Sequence, residues 1–116
     1  MIHIKRIYDD PAPADGYRIL VDRLWPRGMA KNAAHIDRWM KEIAPSTELR
    51  KWLHQDPGRW NDFKKQYAAE LKGAAAVDEL LSVIRQQKTV TLLYAAKDES
   101  HNHALVLRDF VNKQLR

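Results

Sequence analysis

Hydrophobic residues recur along this chain with two different spacings, and each change of spacing marks a new element. In residues 2 to 8, IHIKRIY, Ile2, Ile4 and then Ile7 stand against His3, Lys5 and Arg6, the alternation of an exposed or edge strand. DDPAPADG follows, with two prolines, three aspartates and a glycine, so an irregular connector is expected. It is too short for an ordinary helical crossover, which leaves either an antiparallel first pair or a tight parallel link. A second strand over residues 17 to 24 centres on Ile19, Leu20 and Val21 and breaks at Trp25, Pro26, Arg27 and Gly28.

Helical spacing then takes over. Ile36, Trp39, Met40 and Ile43 predict a short helix over residues 35 to 43, stopped by Pro45. Ser46 caps a second helix that carries Leu49, Trp52 and Leu53 and ends at His54, with Glu48 in its first turn, where the helix dipole favours an anion. Asp56 and Pro57 restart a helix whose Trp60, Phe63, Tyr67 and Leu71 repeat until Gly73. Residues 74 to 86 form another, with Val77, Leu80, Leu81 and Ile84 as its core stripe. TVTLLY, residues 89 to 94, is the continuous apolar run of a strand covered on both faces. AAKDESHNH interrupts it, and Ala104, Leu105, Leu107, Val111 and Leu115 predict a final helix.

This order predicts an α/β fold: a small single-domain sheet over residues 1 to 116, with a parallel pair (strands near 17–24 and 89–94) flanked by helices. A crossover of that kind leaves both carboxyl ends at one edge, where α/β proteins hold ligands. Two polar loops would meet there, Asp22, Arg23, Trp25 and Arg27 from one and Lys97, Asp98, Ser100, His101, Asn102 and His103 from the other. Ser100, read as the helix N-cap, aims backbone N–H groups into the same place, so phosphate, sulfate or a carboxylate is the expected guest. The catalytic candidates are Asp22, Asp98, His101 and His103, as aspartate and histidine acids and bases; the ligand-binding candidates are Arg23, Trp25, Arg27, Lys97, Ser100 and Asn102. Each has a duller reading: Asp22 and Arg23 paired with each other or with Arg108, Trp25 and Pro26 as a plug, residues 98 to 103 as a solvated turn. Histidines two apart on a regular helix diverge, so no metal is expected at Asp98, His101 and His103.

Composition narrows the chemistry. Cysteine is absent, which excludes disulfides, cysteine-ligated metals and a thiolate nucleophile within this chain. With 45% hydrophobic and 30% charged residues, no apolar run long enough to span a bilayer, and Met1 leading directly into an alternating strand, a cytoplasmic protein with no membrane partner is expected. No phosphate-loop or dinucleotide pattern is present, so no cofactor is expected. The net charge is +5, and residues 18 to 65 hold the whole excess, with eleven Lys or Arg against six Asp or Glu and all four tryptophans.

Two readings follow. One is a protein that binds a phosphate-bearing or other anionic ligand, a nucleotide or nucleic acid, at the carboxyl edge, with a hydrolase or transferase using His and Asp as its catalytic form. The other is a non-catalytic module that binds nucleic acid or protein through a basic, tryptophan-rich face of residues 25 to 60.

Three stretches carry a resemblance: RILVDRLWPRGM, WMKEIAPSTELRKWLHQDPGRWNDFKKQYAAEL and VTLLYAAKDESHNHALVL. They resemble the YeaO-like group of small bacterial proteins within the "domain of unknown function 488" family, over nearly the whole chain. The resemblance implies a fold more than a function, because the family has no established activity. In longer relatives a cysteine ends the third strand and a Cys-His-Arg loop opens the helix, a layout similar to a reduced rhodanese or cysteine-phosphatase domain. Here the corresponding positions are Tyr94 and the loop His101, Asn102, His103, so sulfur transfer and cysteine phosphatase chemistry are not implied, whereas an anion cradle at residues 97 to 103 is.

Overall fold

The computed structural model describes residues 1–116 and places the most hydrophobic strand inside the sheet. Four parallel strands run in the order β1 (Ile2–Arg6), β4 (Val90–Tyr94), β2 (Tyr17–Leu20), β3 (Arg38–Trp39). All five residues of β4 are buried. Their alternation sorts them between two layers: Val90, Leu92 and Tyr94, with Ile19 and Val21 of the neighbouring strand, join the main core. Leu93 and Leu20 face the other way, into a smaller cluster with Ile7 and Ala34.

The main core is closed by α3 (Trp60–Leu71), α4 (Ala75–Gln86) and α5 (His103–Gln114), with α2 (Thr47–Gln55) contributing Leu49. The stripes of α3 and α4 follow the sequence spacing, whereas α5 buries Ala104, Val106, Leu107 and Val111 and leaves Leu105 half-buried and Leu115, beyond its end, exposed. Ser46 caps α2 as expected, its hydroxyl accepting from the Leu49 N–H at 3.2 Å. Glu70 of α3 accepts from the Ser46 amide and hydroxyl at 2.9 and 2.6 Å, which fixes the start of α2 against α3.

Two expectations are corrected. The predicted helix over residues 35 to 43 is instead one turn, α1 (Lys31–Ala34), followed by β3 and a 3-10 turn at Lys41–Ile43. Sheet pairing wins over the helical spacing because His35 takes a left-handed φ of 49°, and the backbone then bonds to β2. Asp37 N–H donates to the Arg18 carbonyl at 2.8 Å and Met40 N–H to the Leu20 carbonyl at 2.9 Å. The spacing of Ile36, Trp39, Met40 and Ile43 serves both sides of the sheet: Ile36 and Trp39 pack on the small cluster, Met40 and Ile43 in the main core.

The second correction concerns the first two strands, which do not pair at all. Both lie parallel to β4, one on each side. Their short connector therefore returns across the whole strand length, from Arg6, level with Tyr94, to Tyr17, level with Val90. It is anchored by a buried charge cluster. Asp15 accepts from the Ala12 N–H and from Lys5 Nζ at 3.0 and 3.2 Å, and pairs with Arg18, whose guanidinium also donates to the His35 and Ala34 carbonyls at 3.0 Å each. Thr91 Oγ1 donates to the Asp15 carbonyl at 2.7 Å, tying the connector to β4. Gly16 completes the return at φ +65°, where an added Cβ would lie 2.4 Å from the Thr89 carbonyl oxygen.

Burial alone pushes the Asp15 carboxyl up, but the Ala12 N–H, Lys5 and Arg18 outweigh it and hold it below the usual carboxylate range. The ionised form is thus favoured by folding, so its contribution is complete above that range and is lost as pH falls through it. Asp15→Ala leaves the Arg18 guanidinium buried without its counter-charge and is expected to cost about 3–5 kcal/mol in urea denaturation. The gap to the parent protein should narrow below about pH 4; a gap independent of pH would contradict the charge cluster.

Candidate functional site

The topology itself opens a crevice at the carboxyl edge. From β2 the chain turns toward β3, whereas from β4 it runs into α5, which packs on β1 and β4. Connections that diverge from adjacent parallel strands leave a gap between them. A cavity of about 350 Å³ lies there. Its lining comes from the loop after β2, the loop after β4, the segment before α2, α2 itself and Phe63 of α3.

Asp22 joins the two loops. Its Oδ2 accepts from the Ala95 N–H at 3.1 Å, which carries the strand pairing one step past Val21 N–H to Leu93 carbonyl at 3.0 Å. Its Oδ1 lies 3.1 Å from His103 Nε2, in the first turn of α5. That nitrogen also sits 3.0 Å from the Val21 carbonyl, and Asp22 Oδ1 is buried without a hydrogen-bond partner. The Asp22 carbonyl accepts from the Trp39 indole at 2.7 Å. Arg23 turns the other way and donates to the Ala44 and Pro45 carbonyls at 3.1 and 3.4 Å. The same segment is held from beneath by Tyr67, whose hydroxyl donates to the Ile43 carbonyl at 2.6 Å. Complete burial drives the Tyr67 hydroxyl pKa well up, with the nearby Glu70 adding to it, so this bond stays a neutral donor.

The second loop is built by Asp98. Its Oδ1 accepts from the Ser100 and His101 N–H groups at 2.8 and 3.0 Å, and these bonds hold the carboxyl below the usual range. Those N–H groups are therefore taken by the chain's own carboxylate. Asn102, not Ser100, is the N-cap of α5: its Oδ1 accepts from Leu105 N–H at 3.1 Å, and its amide donates to the Asp98 carbonyl at 3.0 Å. Arg6, at the end of β1, donates to the Ala96 and Ala95 carbonyls at 2.9 and 3.3 Å and pins the start of the loop.

Of the ten residues singled out in the sequence, Asp22, Arg23, Lys97, His101, Asn102 and His103 line the cavity. Trp25, Arg27, Asp98 and Ser100 do not. Trp25 packs edge-on to Trp39 at 5.3 Å and donates to the Met29 carbonyl at 2.7 Å, so it plugs the small cluster. Arg27 is exposed and offers only its carbonyl, to the Tyr8 hydroxyl at 2.7 Å. Asp22 and Arg23 pair neither with each other nor with Arg108, which meets Asp109. His101 and His103 do not converge on one point, since the His101 ring lies on Trp60 at 4.9 Å and His103 is held at Asp22.

Sequence reasoning missed Arg50, His54 and Leu53, which α2 brings to the cavity, and Phe63 of α3. The available signal was Arg50 and His54 four apart on a helix, a shared face whose direction only packing decides. The cavity is therefore rimmed by Arg23, Arg50, His54, Lys97 and His101, with Asp22 as its one carboxylate. Arg50 and Lys97 take part in no ion pair.

Comparison with known proteins gives the chain a family. A family model described as "Inactive DUF488-N3 subclade" matches residues 1–116. The chain belongs to the DUF488 family. Uncharacterized protein YeaO of Escherichia coli K12 is 49% identical to it, over 95% of this chain and 96% of the relative. Two mycobacterial relatives, uncharacterized proteins Rv3073c of Mycobacterium tuberculosis and Mb3100c of Mycobacterium bovis, are each 39% identical over 96% of this chain and 93% of their own. No solved structure matches.

The capping assignment can be checked directly. Asn102→Ala is expected to destabilise the fold by about 1 kcal/mol, whereas Ser100→Ala, whose side chain caps nothing, should stay within about 0.5 kcal/mol of the parent in thermal unfolding. Equal costs would return the cap to Ser100.

Proposed function

We propose that this protein binds a phosphate-bearing anion of nucleotide size at the carboxyl edge of its sheet, as a binding module and not as a catalyst. The observation that carries this reading is the imbalance around one cavity: Arg50 and Lys97, neither in an ion pair, and Arg23, held on the Ala44 and Pro45 carbonyls, against the single lining carboxylate of Asp22, with His54 beside them and His101 3.7 Å from the Asp98 carboxylate. Opposite needs are met in the same space, because Leu24, Leu53, Ala44 and Pro45 supply an apolar wall for the body that carries the phosphate. Leu24, 62% exposed, forms part of this wall.

The acid–base form of the reading is weaker. Asp22 and His103 side chains are each only 16% exposed and face one another at 3.1 Å, with Asp22 Oδ2 taken by the Ala95 N–H and His103 Nε2 against the Val21 carbonyl. With no cysteine in the chain and a subclade described as inactive, binding without turnover is the simpler role. The tryptophan-rich face loses its aromatic half: all four tryptophans are half-buried against one cluster or the other. Arg59 covers Trp52 at 4.9 Å and Lys41 covers Trp39 at 4.4 Å, so those indoles are already engaged.

Titration with inorganic phosphate and with a nucleoside 5′-monophosphate should move the backbone amide resonances of residues 50, 54, 97 and 101 together. Arg50→Glu and Lys97→Glu should each weaken the nucleotide by about tenfold or more, and no phosphate should be released from it on prolonged incubation. Scattered or absent shifts would overturn the site, and steady phosphate release would overturn the non-catalytic role.

A further inference from the structure

Resting on that reading, we infer that the natural occupant is the phosphorylated end of a single-stranded polynucleotide, whose chain leaves the cavity along α2. The cavity does not end at its rim. Arg50 and His54 also line a second, more open depression on the outer side of α2, completed by Lys51 and Gln55. Positions 50, 51, 54 and 55 form one exposed stripe of the helix, because residues one turn apart are neighbours on its surface. Where the cavity has apolar walls, this depression has none. A mononucleotide fills only the first compartment and leaves Lys51 unused. A chain that alternates flat apolar bases with regularly spaced phosphates suits an apolar cavity opening onto a cationic, hydrogen-bonding groove.

The charge on the stripe is not already neutralised. Neither Arg50 nor Lys51 belongs to an ion pair, and Glu48, the one acid of α2, pairs with neither. Arg59, by contrast, is withdrawn from the groove by its bonds to the Trp52 carbonyl at 2.9 Å and Gln55 Oε1 at 3.3 Å. An acidic peptide offers negative charge too, but lacks the flat body beside each charge that the cavity walls accept.

The test is fluorescence anisotropy of the full chain with labelled five-nucleotide oligothymidylates, phosphorylated at the 5′ or the 3′ end or at neither, competed by thymidine monophosphate and by oligoglutamate. One phosphorylated oligonucleotide should bind at least about tenfold tighter than the mononucleotide and than its unphosphorylated form. Lys51→Glu should erase most of the first difference without changing mononucleotide affinity, and should lower the slope of log affinity against log salt by about one. Equal affinity for oligonucleotide and mononucleotide, unchanged in Lys51→Glu, would overturn the extension along α2 and leave the anion cavity standing. Loss of both ligands would overturn the cavity as well, and tighter binding of oligoglutamate would assign the groove to an acidic peptide.

Discussion

One carboxylate holds the candidate site together. Asp22 stands where β2 leaves the sheet, accepts the first N–H beyond β4 from Ala95, and meets His103 in the first turn of α5. Two chain segments that diverge from adjacent strands are in this way closed behind the gap they create. An acid at this point need not take part in chemistry to matter, since a buried carboxylate that lost its partners would leave N–H groups unpaired at the most crowded point of the edge. Its second oxygen, near His103 but without a hydrogen-bond partner, is the one unsatisfied buried side-chain polar atom in the structure. It gives the cavity its only fixed negative charge, and sets how near an anion can come to that wall.

The rest of the architecture serves the same edge from a distance. Arg6, at the end of β1, holds the carbonyls of Ala95 and Ala96, and Tyr67 and Arg23 hold those of residues 43 to 45. Backbone acceptors that would repel an anion are consumed by the protein's own donors, which leaves the side chains of Arg50, Lys97 and His101 to set the potential of the cavity. Away from the site, Asp15, Lys5 and Arg18 do unrelated work, fastening a return between β1 and β2 that holds only one 3-10 turn, Pro13–Asp15.

Much of this was legible in the chain. TVTLLY announces a strand covered twice, and the signals at Ser46 and Gly73 divide the helices correctly, while Asp56 caps a 3-10 turn, Pro57–Arg59, that leads into α3, because capping and local spacing are properties of neighbouring residues. The parallel direction of residues 17 to 20 and 90 to 93 followed from connection rules, whereas their being neighbours, on which the meeting of the two polar loops depends, is supplied by the sheet order. What was not legible depended on distant partners. Nothing near Asp37 reveals that it will bond with the backbone of Arg18 and convert a helical spacing into β3. Nothing near Arg50 says which way α2 faces. Asp98 competes with Ser100 for the start of α5 by a local turn, and only the geometry shows that the turn wins and passes the cap to Asn102.

The most direct test is a crystal structure of the protein with whichever dinucleotide, phosphorylated at its 5′ or its 3′ end, it binds more tightly. The account predicts the terminal phosphate within hydrogen-bonding reach of Arg50 and Lys97, an apolar contact of the first base with Leu24 or Leu53, and the Asp22 contacts to Ala95 and His103 unchanged. A dinucleotide bound elsewhere, with the cavity closed by its own side chains, would contradict it.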